Sequence, residues 1–361
     1  MGGASFRTEP ADARTSERLA LALLGYFILI TLVITLSPFD FGPARVRVSV
    51  DMWIDDVLLN IGLFLPLGFL LRSIDRPGTR RGWHTVATLA AFSVLIELTQ
   101  VFIQSRYVSP IDVLANTGGA CAGVYLRRRV ERWTVWRPQV VGRIGLDIPL
   151  VGLVYLLVPQ LWLSGMGLVH DAWRAVTTLL LACAGTIVLA SLRRNRWNAE
   201  ARALLSARRF EEETLQKFIP IFVGYLVVAA LWQPFRMVGP WQGAVAFLDP
   251  TTSVGKILML LEQVCGFTLL GYALAERRSR QEITVGADLP HIGLAGLLLA
   301  GVLEIAQGWL SGHGASLLRA ALASGGAVYG AAVYHLARAH VRSLRRLQEA
   351  EDADELRSQA A

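Results

Sequence analysis

Ten stretches of this chain run close to the roughly 20 apolar residues that a helix needs to cross about 30 Å of hydrocarbon. They lie at about 19–36, 55–71, 83–103, 110–126, 146–164, 172–192, 217–233, 254–275, 289–310 and 315–337. A backbone in lipid has to satisfy its own amides and carbonyls, and a helix does so within one segment. The expected fold is therefore all-α, a polytopic transmembrane helix bundle of about ten spans. Composition points the same way, since 53% of residues are hydrophobic and only 17% charged, outside the balance of a water-soluble domain. The fourth stretch is short and rich in small residues, and Pro159 interrupts the fifth. The opening segment, MGGASFRTEPADARTSER, is too long and too acidic for a signal-peptide n-region and has no small-residue cleavage site. The first span is expected to stay as an anchor.

Basic residues sort by loop. Of the 35 Lys and Arg residues, 28 fall in alternate segments on one side. The other side has Arg45, Arg47, Arg106, Arg174, Arg236, Lys256 and Arg319. The positive-inside rule then places both termini in the cytoplasm. Topology and anionic lipid account for the net charge of +7, so nucleic acid is not expected as a partner. Residues 193–216 alternate charged and apolar groups at helical spacing, as a helix lying on the membrane surface would. The tail after Arg338 reads as a helix that frays into a disordered end.

An internal repeat organises the spans. SPFDF at 37–41 is echoed by QPFRM at 233–237, FLPLGFLL at 64–71 by FTLLGYAL at 267–274, and IELTQ at 96–100 by LEIAQ at 303–307. The expected architecture is two parallel four-helix repeats joined by two spans. Its parts are a cytoplasmic segment 1–18, repeat one at 19–130, connecting spans and loops at 131–216, a degenerate repeat two at 217–337, and a cytoplasmic tail 338–361.

Polar residues inside the first repeat carry the functional reading, because ionisable groups at membrane depth are costly. With the orientation above, Glu97 and Gln100 fall three apart on one face in the outer half of the third span. Asp112 and Asn116 lie one helical turn apart where the fourth span begins at Pro110. Asn60 is shallow on the same side, and Asp40 follows Pro38 in the outer loop. Arg106, in the turn between spans three and four, can pair with Asp112 or Glu97, or bind a phosphate or carboxylate through its two-pronged guanidinium.

These residues resemble a known family. DVLLNIGLFLPLGFLL (56–71) followed by IELTQVFIQSRYVSPIDVLANTGGACAGVYL (96–126) looks like the VanZ-like family. Its pattern is an Asn–Pro–Gly span, then Glu-x-x-Gln, then Arg before Asp-x-x-x-Asn-x-x-Gly. The resemblance covers about 19–130 strongly and about 217–337 as a degenerate copy. It implies a multi-span bacterial membrane protein associated with resistance to the lipoglycopeptide teicoplanin.

A bland alternative is a buried ion-pair and hydrogen-bond network of Glu97, Arg106 and Asp112 that locks the helices. Asn60 reads as interhelical glue, and Pro66 and Gly68 as sites of bending or close packing. Gly119 with Gly123, and Gly326 with Gly330, suit close helix contacts within the subunit or in a dimer. Aligned by Glu-x-x-Gln, Arg106 meets His313, Asp112 meets Arg319 and Asn116 meets Ala323, so the polar groups drift while the glycines stay. Glu304 can pair with Arg319 or His313. Cys121, Cys183 and Cys265 and the six histidines show no metal spacing, so neither metal nor cofactor is expected. No Walker loop, Rossmann fingerprint or nucleophile elbow occurs, and no catalytic residue is assigned.

Three functions follow. The leading one is a non-enzymatic protein that binds a lipid-linked or amphiphilic cell-envelope molecule, or a glycopeptide antibiotic, at the outer leaflet, with Arg106 on an anionic headgroup. The second is an enzyme on lipid-linked envelope precursors with Glu97 or Asp112 as general base. The third is a proton-coupled transporter using Glu97.

Overall fold

The computed structural model describes residues 11–49, 54–74, 82–136, 206–231, 239–244, 254–279, 284–310 and 314–360. Among them are eight helices: α1 (Ala11–Leu36), α2 (Ile54–Ile74), α3 (Gly82–Gln100), α4 (Pro110–Trp136), α5 (Ser206–Leu231), α6 (Val254–Arg278), α7 (Val285–Gln307) and α8 (Leu317–Ala360). Two two-residue strands, β1 (Gly243–Ala244) and β2 (Ala315–Ser316), pair in parallel. Five helical segments are long and apolar enough to cross a membrane: Glu17–Leu36, Asp56–Ile74, Gly82–Gln100, Val254–Arg278 and Val285–Gln307. Ile219–Leu231 is a shorter apolar helix. The stretches expected at 110–126 and 315–337 fall in α4 and at the start of α8, and those at 146–164 and 172–192 lie outside the described residues.

Three boundaries differ from expectation. The third helix stops at Gln100, because Val101–Ser109 fold into a turn that pairs with the loop before α2. Of the surface helix expected at 193–216, residues 193–205 lie outside the described residues, and 206–216 form the first turns of α5, which runs on through Pro220. The tail does not fray, since α8 continues to Ala360. After Gly330 its sequence has neither Gly nor Pro and is rich in Ala, Leu, Arg and Glu, the strongest helix formers.

The chain divides into two compact units, Met1–Ile148 with Leu336–Ala361 (unit 1) and Pro149–His335 (unit 2). Within unit 1 the helices are built inside-out relative to a soluble bundle. The buried stripe of α3 is Leu89, Ser93, Ile96, Glu97 and Gln100, one face at helical spacing. Its outward face exposes Val94, Leu95 and Leu98. On α4 the buried residues are Ala115, Asn116, Ala120 and Val124, and Leu114 and Tyr125 face outward. Small residues at the contact and large apolar residues outside are the pattern of helices solvated by lipid tails. Hydroxyls on these helices turn inward on their own backbone, as Thr31 does to the Phe27 carbonyl at 2.8 Å and Thr117 to that of Val113 at 2.7 Å, so that neither donor is left facing lipid.

Helices α2 and α4 meet through glycine. A Cβ at Gly119 would strike the Ile61 carbonyl, one at Gly123 the Leu65 carbonyl, and one at Gly68 the Ala120 carbonyl. Pro66 removes one amide from the α2 ladder along this contact. Unit 2 repeats the arrangement between α6 and α8, where Gly326 meets the Val264 carbonyl, Gly330 that of Thr268 and Gly271 that of Ala327. In both units these glycine contacts lie within one unit.

Candidate functional site

The end of α1 determines what sits around Arg106. A helix leaves its last carbonyls without internal partners, and here those of Ile34 to Ser37 each acquire one. Arg106 Nη2 donates to the Ile34 carbonyl at 3.0 Å, and Gln100 Nε2 to that of Thr35 at 2.9 Å. The Phe39 amide donates to the Leu36 carbonyl at 2.9 Å, and Arg106 Nε to that of Ser37 at 2.9 Å. Phe39 closes the turn with a left-handed φ of 66°, which a residue with a side chain adopts only when its surroundings hold it there. The 39–49 loop then lies over the 101–109 turn. The Gly42 amide donates to the Phe102 carbonyl, that of Arg45 to Val101, that of Gln104 to Asp40 and that of Val108 to Arg47. Asp40 also accepts from the Ser105 hydroxyl at 3.0 Å.

The start of α4 is held as closely. Ser109–Pro110–Ile111–Asp112 places a Ser at the N-cap, Pro at the first helical position and a carboxylate in the first turn. The Ser109 hydroxyl accepts from the Asp112 amide at 3.3 Å, and the Ser109 amide donates to Glu97 Oε2 at 2.8 Å. The two polar residues of Glu-x-x-Gln thus clamp two helix ends at once, Glu97 the start of α4 and Gln100 the end of α1. One turn further along α4, Asn116 Nδ2 donates to the Ser93 hydroxyl of α3 at 2.9 Å.

Arg106 makes neither ion pair open to it from sequence. Its hydrogen bonds go to carbonyls at the negative end of the α1 dipole, a favourable place for a cation. Burial pushes its guanidinium below the ordinary arginine value, and the carboxylates of Asp112, Asp40, Glu97 and Asp56 oppose that fall. Two acceptors stay unpaired in this buried layer, Gln100 Oε1 and Asn116 Oδ1, on residues only 6% and 2% exposed. Asn60, half-buried on α2, has no side-chain hydrogen bond to another described residue.

Unit 2 contains the same clamp. Gln307 Nε2 donates to the Ala230 carbonyl at 2.9 Å, and the Ser316 amide donates to Glu304 Oε2 at 2.9 Å. The Ser316 hydroxyl accepts from the Arg319 amide at 3.3 Å. The difference lies one turn in. Arg319 stands where unit 1 has Asp112, and its Nε and Nη2 bond both oxygens of Glu304, the closest at 2.6 Å, and its Nη2 also bonds the Gly314 carbonyl. Ala323 stands where unit 1 has Asn116, and Ala300 where it has Ser93; both are fully buried. His313 lies outside the described residues.

At the opposite end of unit 2, Asp288 on α7 accepts from Arg278 Nε at 2.6 Å and lies 3.0 Å from His335 Nε2, which ties α6, α7 and α8 together. Sequence spacing held no hint of this contact. Ser93 and Ser109 were legible in principle, the first from its place four residues before Glu97, the second from the Ser-Pro-x-Asp capping signature. No group of three or more His, Cys, Asp or Glu among the described residues is placed to hold a metal ion. Cys121 and Cys265 take part in no disulfide, and Cys183 lies outside the described residues.

Apolar helices long enough to cross a bilayer, packed through small residues with polar groups gathered at one end, define an integral membrane protein. Residues 11–131 of the 361-residue chain match the VanZ/LLP1 family. The match takes in α1 to α4 with the whole Glu97–Arg106–Asp112–Asn116 group. No curated protein and no solved structure matches the chain.

Proposed function

We propose that unit 1 is the ligand-binding half of a VanZ-like membrane protein, with its Arg106 end at the extracytoplasmic leaflet of a bacterial inner membrane. There it takes a lipid-linked or amphiphilic cell-envelope molecule and so lowers susceptibility to teicoplanin-type glycopeptides. In this reading the chain has about ten spans with both termini cytoplasmic, arranged as two parallel four-helix repeats joined by two spans. The second repeat has become a support. One observation carries the reading: the same helix-end clamp occurs in both units, but in unit 2 Arg319 bonds the clamp glutamate, whereas unit 1 has Asp112 at that position and leaves Asn116 Oδ1, one turn along α4, unpaired. The orphaned oxygens of Gln100 and Gln307 are common to both clamps, so Asn116 Oδ1 is the unpaired acceptor peculiar to unit 1, and a buried polar group without a partner calls for an explanation.

The experiment is expression of the wild type, Asp112→Asn, Asn116→Ala and the double variant Glu304→Gln/Arg319→Gln at matched membrane levels in a susceptible host. Teicoplanin susceptibility and the pool of lipid-linked envelope precursors are the readouts. The wild type and the unit 2 double variant are expected to lower susceptibility, and the two unit 1 variants to lose the effect. A wild type without effect on either readout refutes the proposal.

A further inference from the structure

Carboxylates outnumber cations at the unit 1 corner. Arg106 commits Nε and Nη2 to the carbonyls of Ser37 and Ile34, and the charged groups acting on it are four carboxylates, Asp112, Asp40, Glu97 and Asp56. Its basic neighbour Arg47 turns away, toward the Gln104 carbonyl at 3.5 Å and the Tyr107 ring. Among the described residues Arg106 Nη1 keeps its donors free, and the acceptors left over are Asn116 Oδ1, unpaired on a residue 2% exposed, and the Glu97 carboxylate, whose one hydrogen bond comes from the Ser109 amide. Asn116 reaches Ser93 across the α3–α4 contact, one turn from Asp112 on α4, and Ser93 is one turn from Glu97 on α3.

Unit 2 shows what complements such a group. Its glutamate carries a cation with several N–H donors, the Arg319 guanidinium, in contact with both carboxylate oxygens. In unit 1 the matching position does not supply this cation, since Asp112 occupies it. Leu98, Phe102 and Leu114 stand exposed around the corner, so whatever supplies the charge meets lipid-facing surface.

We infer that the Glu97–Asp112–Asn116 corner of unit 1 receives the primary ammonium group of an amphiphile, and not a phosphate or carboxylate. An ammonium offers three donors and one positive charge. These suit one orphaned amide oxygen and two carboxylates, whereas an anion would add charge to a group already rich in it. This assignment rests on the reading of unit 1 as the ligand-binding half, and it replaces Arg106 as the group that selects the ligand.

The test is thermal unfolding of the purified full chain in detergent, titrated with dioctanoyl phosphatidylethanolamine and, at equal concentrations, with the phosphatidylcholine and phosphatidylglycerol of the same chains and with free ethanolamine. A ligand that binds the folded state raises Tm in a saturable way. The ethanolamine lipid is expected to do so, and the other three are not. Asn116→Ala, the residue type unit 2 carries, is expected to weaken half-saturation at least about tenfold, the scale of one hydrogen bond to a charged group. Asp112→Asn is expected to weaken it likewise, and the double variant Glu304→Gln/Arg319→Gln to leave it unchanged. The readout is the ligand-dependent increment, so a lower starting Tm in a variant does not affect it. An equal rise with the glycerol lipid, or an undiminished rise in Asn116→Ala, overturns the inference. A rise with free ethanolamine overturns its amphiphile part. Loss of teicoplanin protection in the unit 1 variants without ammonium preference would leave the proposed function standing and remove this inference. Ammonium preference without any effect on susceptibility would do the reverse.

Discussion

Replacing the glutamate of Glu-x-x-Gln by glutamine is expected to cost far more in unit 2 than in unit 1, although the two side chains make the same bond to the next helix. In unit 1, Glu97→Gln keeps an amide oxygen for the Ser109 N–H. The loss is the difference between a charge-assisted and a neutral hydrogen bond, about 1 kcal/mol. In unit 2, Glu304 also holds Arg319, whose side chain is 9% exposed against 4% for the glutamate. Glutamine there takes the carboxylate from a buried guanidinium, a loss of about 3–5 kcal/mol. Pulsed thiol labelling along an SDS titration in detergent separates the units. Cys265, fully buried on α6, reports unit 2, and Ala115→Cys on α4 reports unit 1. Glu304→Gln should expose Cys265 at a much lower SDS fraction, and Glu97→Gln should shift the unit 1 reporter only slightly. Adding Arg319→Gln to Glu304→Gln should restore most of the loss, because the unpaired charge and not the missing bond is what destabilises. Equal costs in the two units, or no rescue by the double variant, would refute this account.

Gly123→Ala is expected to destabilise unit 1 by about 1–3 kcal/mol, because its Cβ meets the Leu65 carbonyl and other backbone atoms of α2 that cannot swing aside; Gly118→Ala, one residue before Gly119 but with open space around it, should be neutral in the same SDS titration. Gln100→Leu leaves the Thr35 carbonyl without its donor and should cost about 1–3 kcal/mol, with faster hydrogen exchange at the end of α1 as the local readout. Orientation is checked by cysteine scanning in a chain with Cys121, Cys183 and Cys265 replaced: an impermeant maleimide added to intact cells should label Arg47→Cys and spare Ser358→Cys, and the opposite result would invert the proposed topology.

The helices were legible in the sequence because lipid solvation selects long apolar runs and because small residues stand out against them. Gly119, Gly123, Gly326 and Gly330 could be read as packing positions from spacing alone, and the structure puts a facing carbonyl against each. Glu97, Gln100, Asp112 and Asn116 could be read as a group for the same reason, each being costly where it lies. Their partners could not. Arg106 and Gln100 bond backbone carbonyls of Ile34, Thr35 and Ser37, far away in sequence, and a carbonyl leaves no mark in the residue letters. An arginine amid carboxylates therefore reads as an ion pair when its work is to finish a helix. The extents of α5 and α8 were missed for another reason, since charge signals where a segment leaves the membrane but not where its helix ends.

The two units also constrain which residues can set the protein's specificity. Glu-x-x-Gln does the same mechanical work in both, holding the start of one helix and the end of another, so its presence in the motif does not make it the reading head. The positions that differ are the ones next to it: Ser93 against Ala300, Asp112 against Arg319, Asn116 against Ala323. Each exchange moves unit 1 toward acceptors and unit 2 toward closure. Because the clamp fixes the ends of α1 and α4 in unit 1 whatever those three residues are, they are free to be chosen for a ligand at little cost to the fold. Substituting Asn116 should therefore change binding much more than stability, and substituting Gln100 should do the opposite.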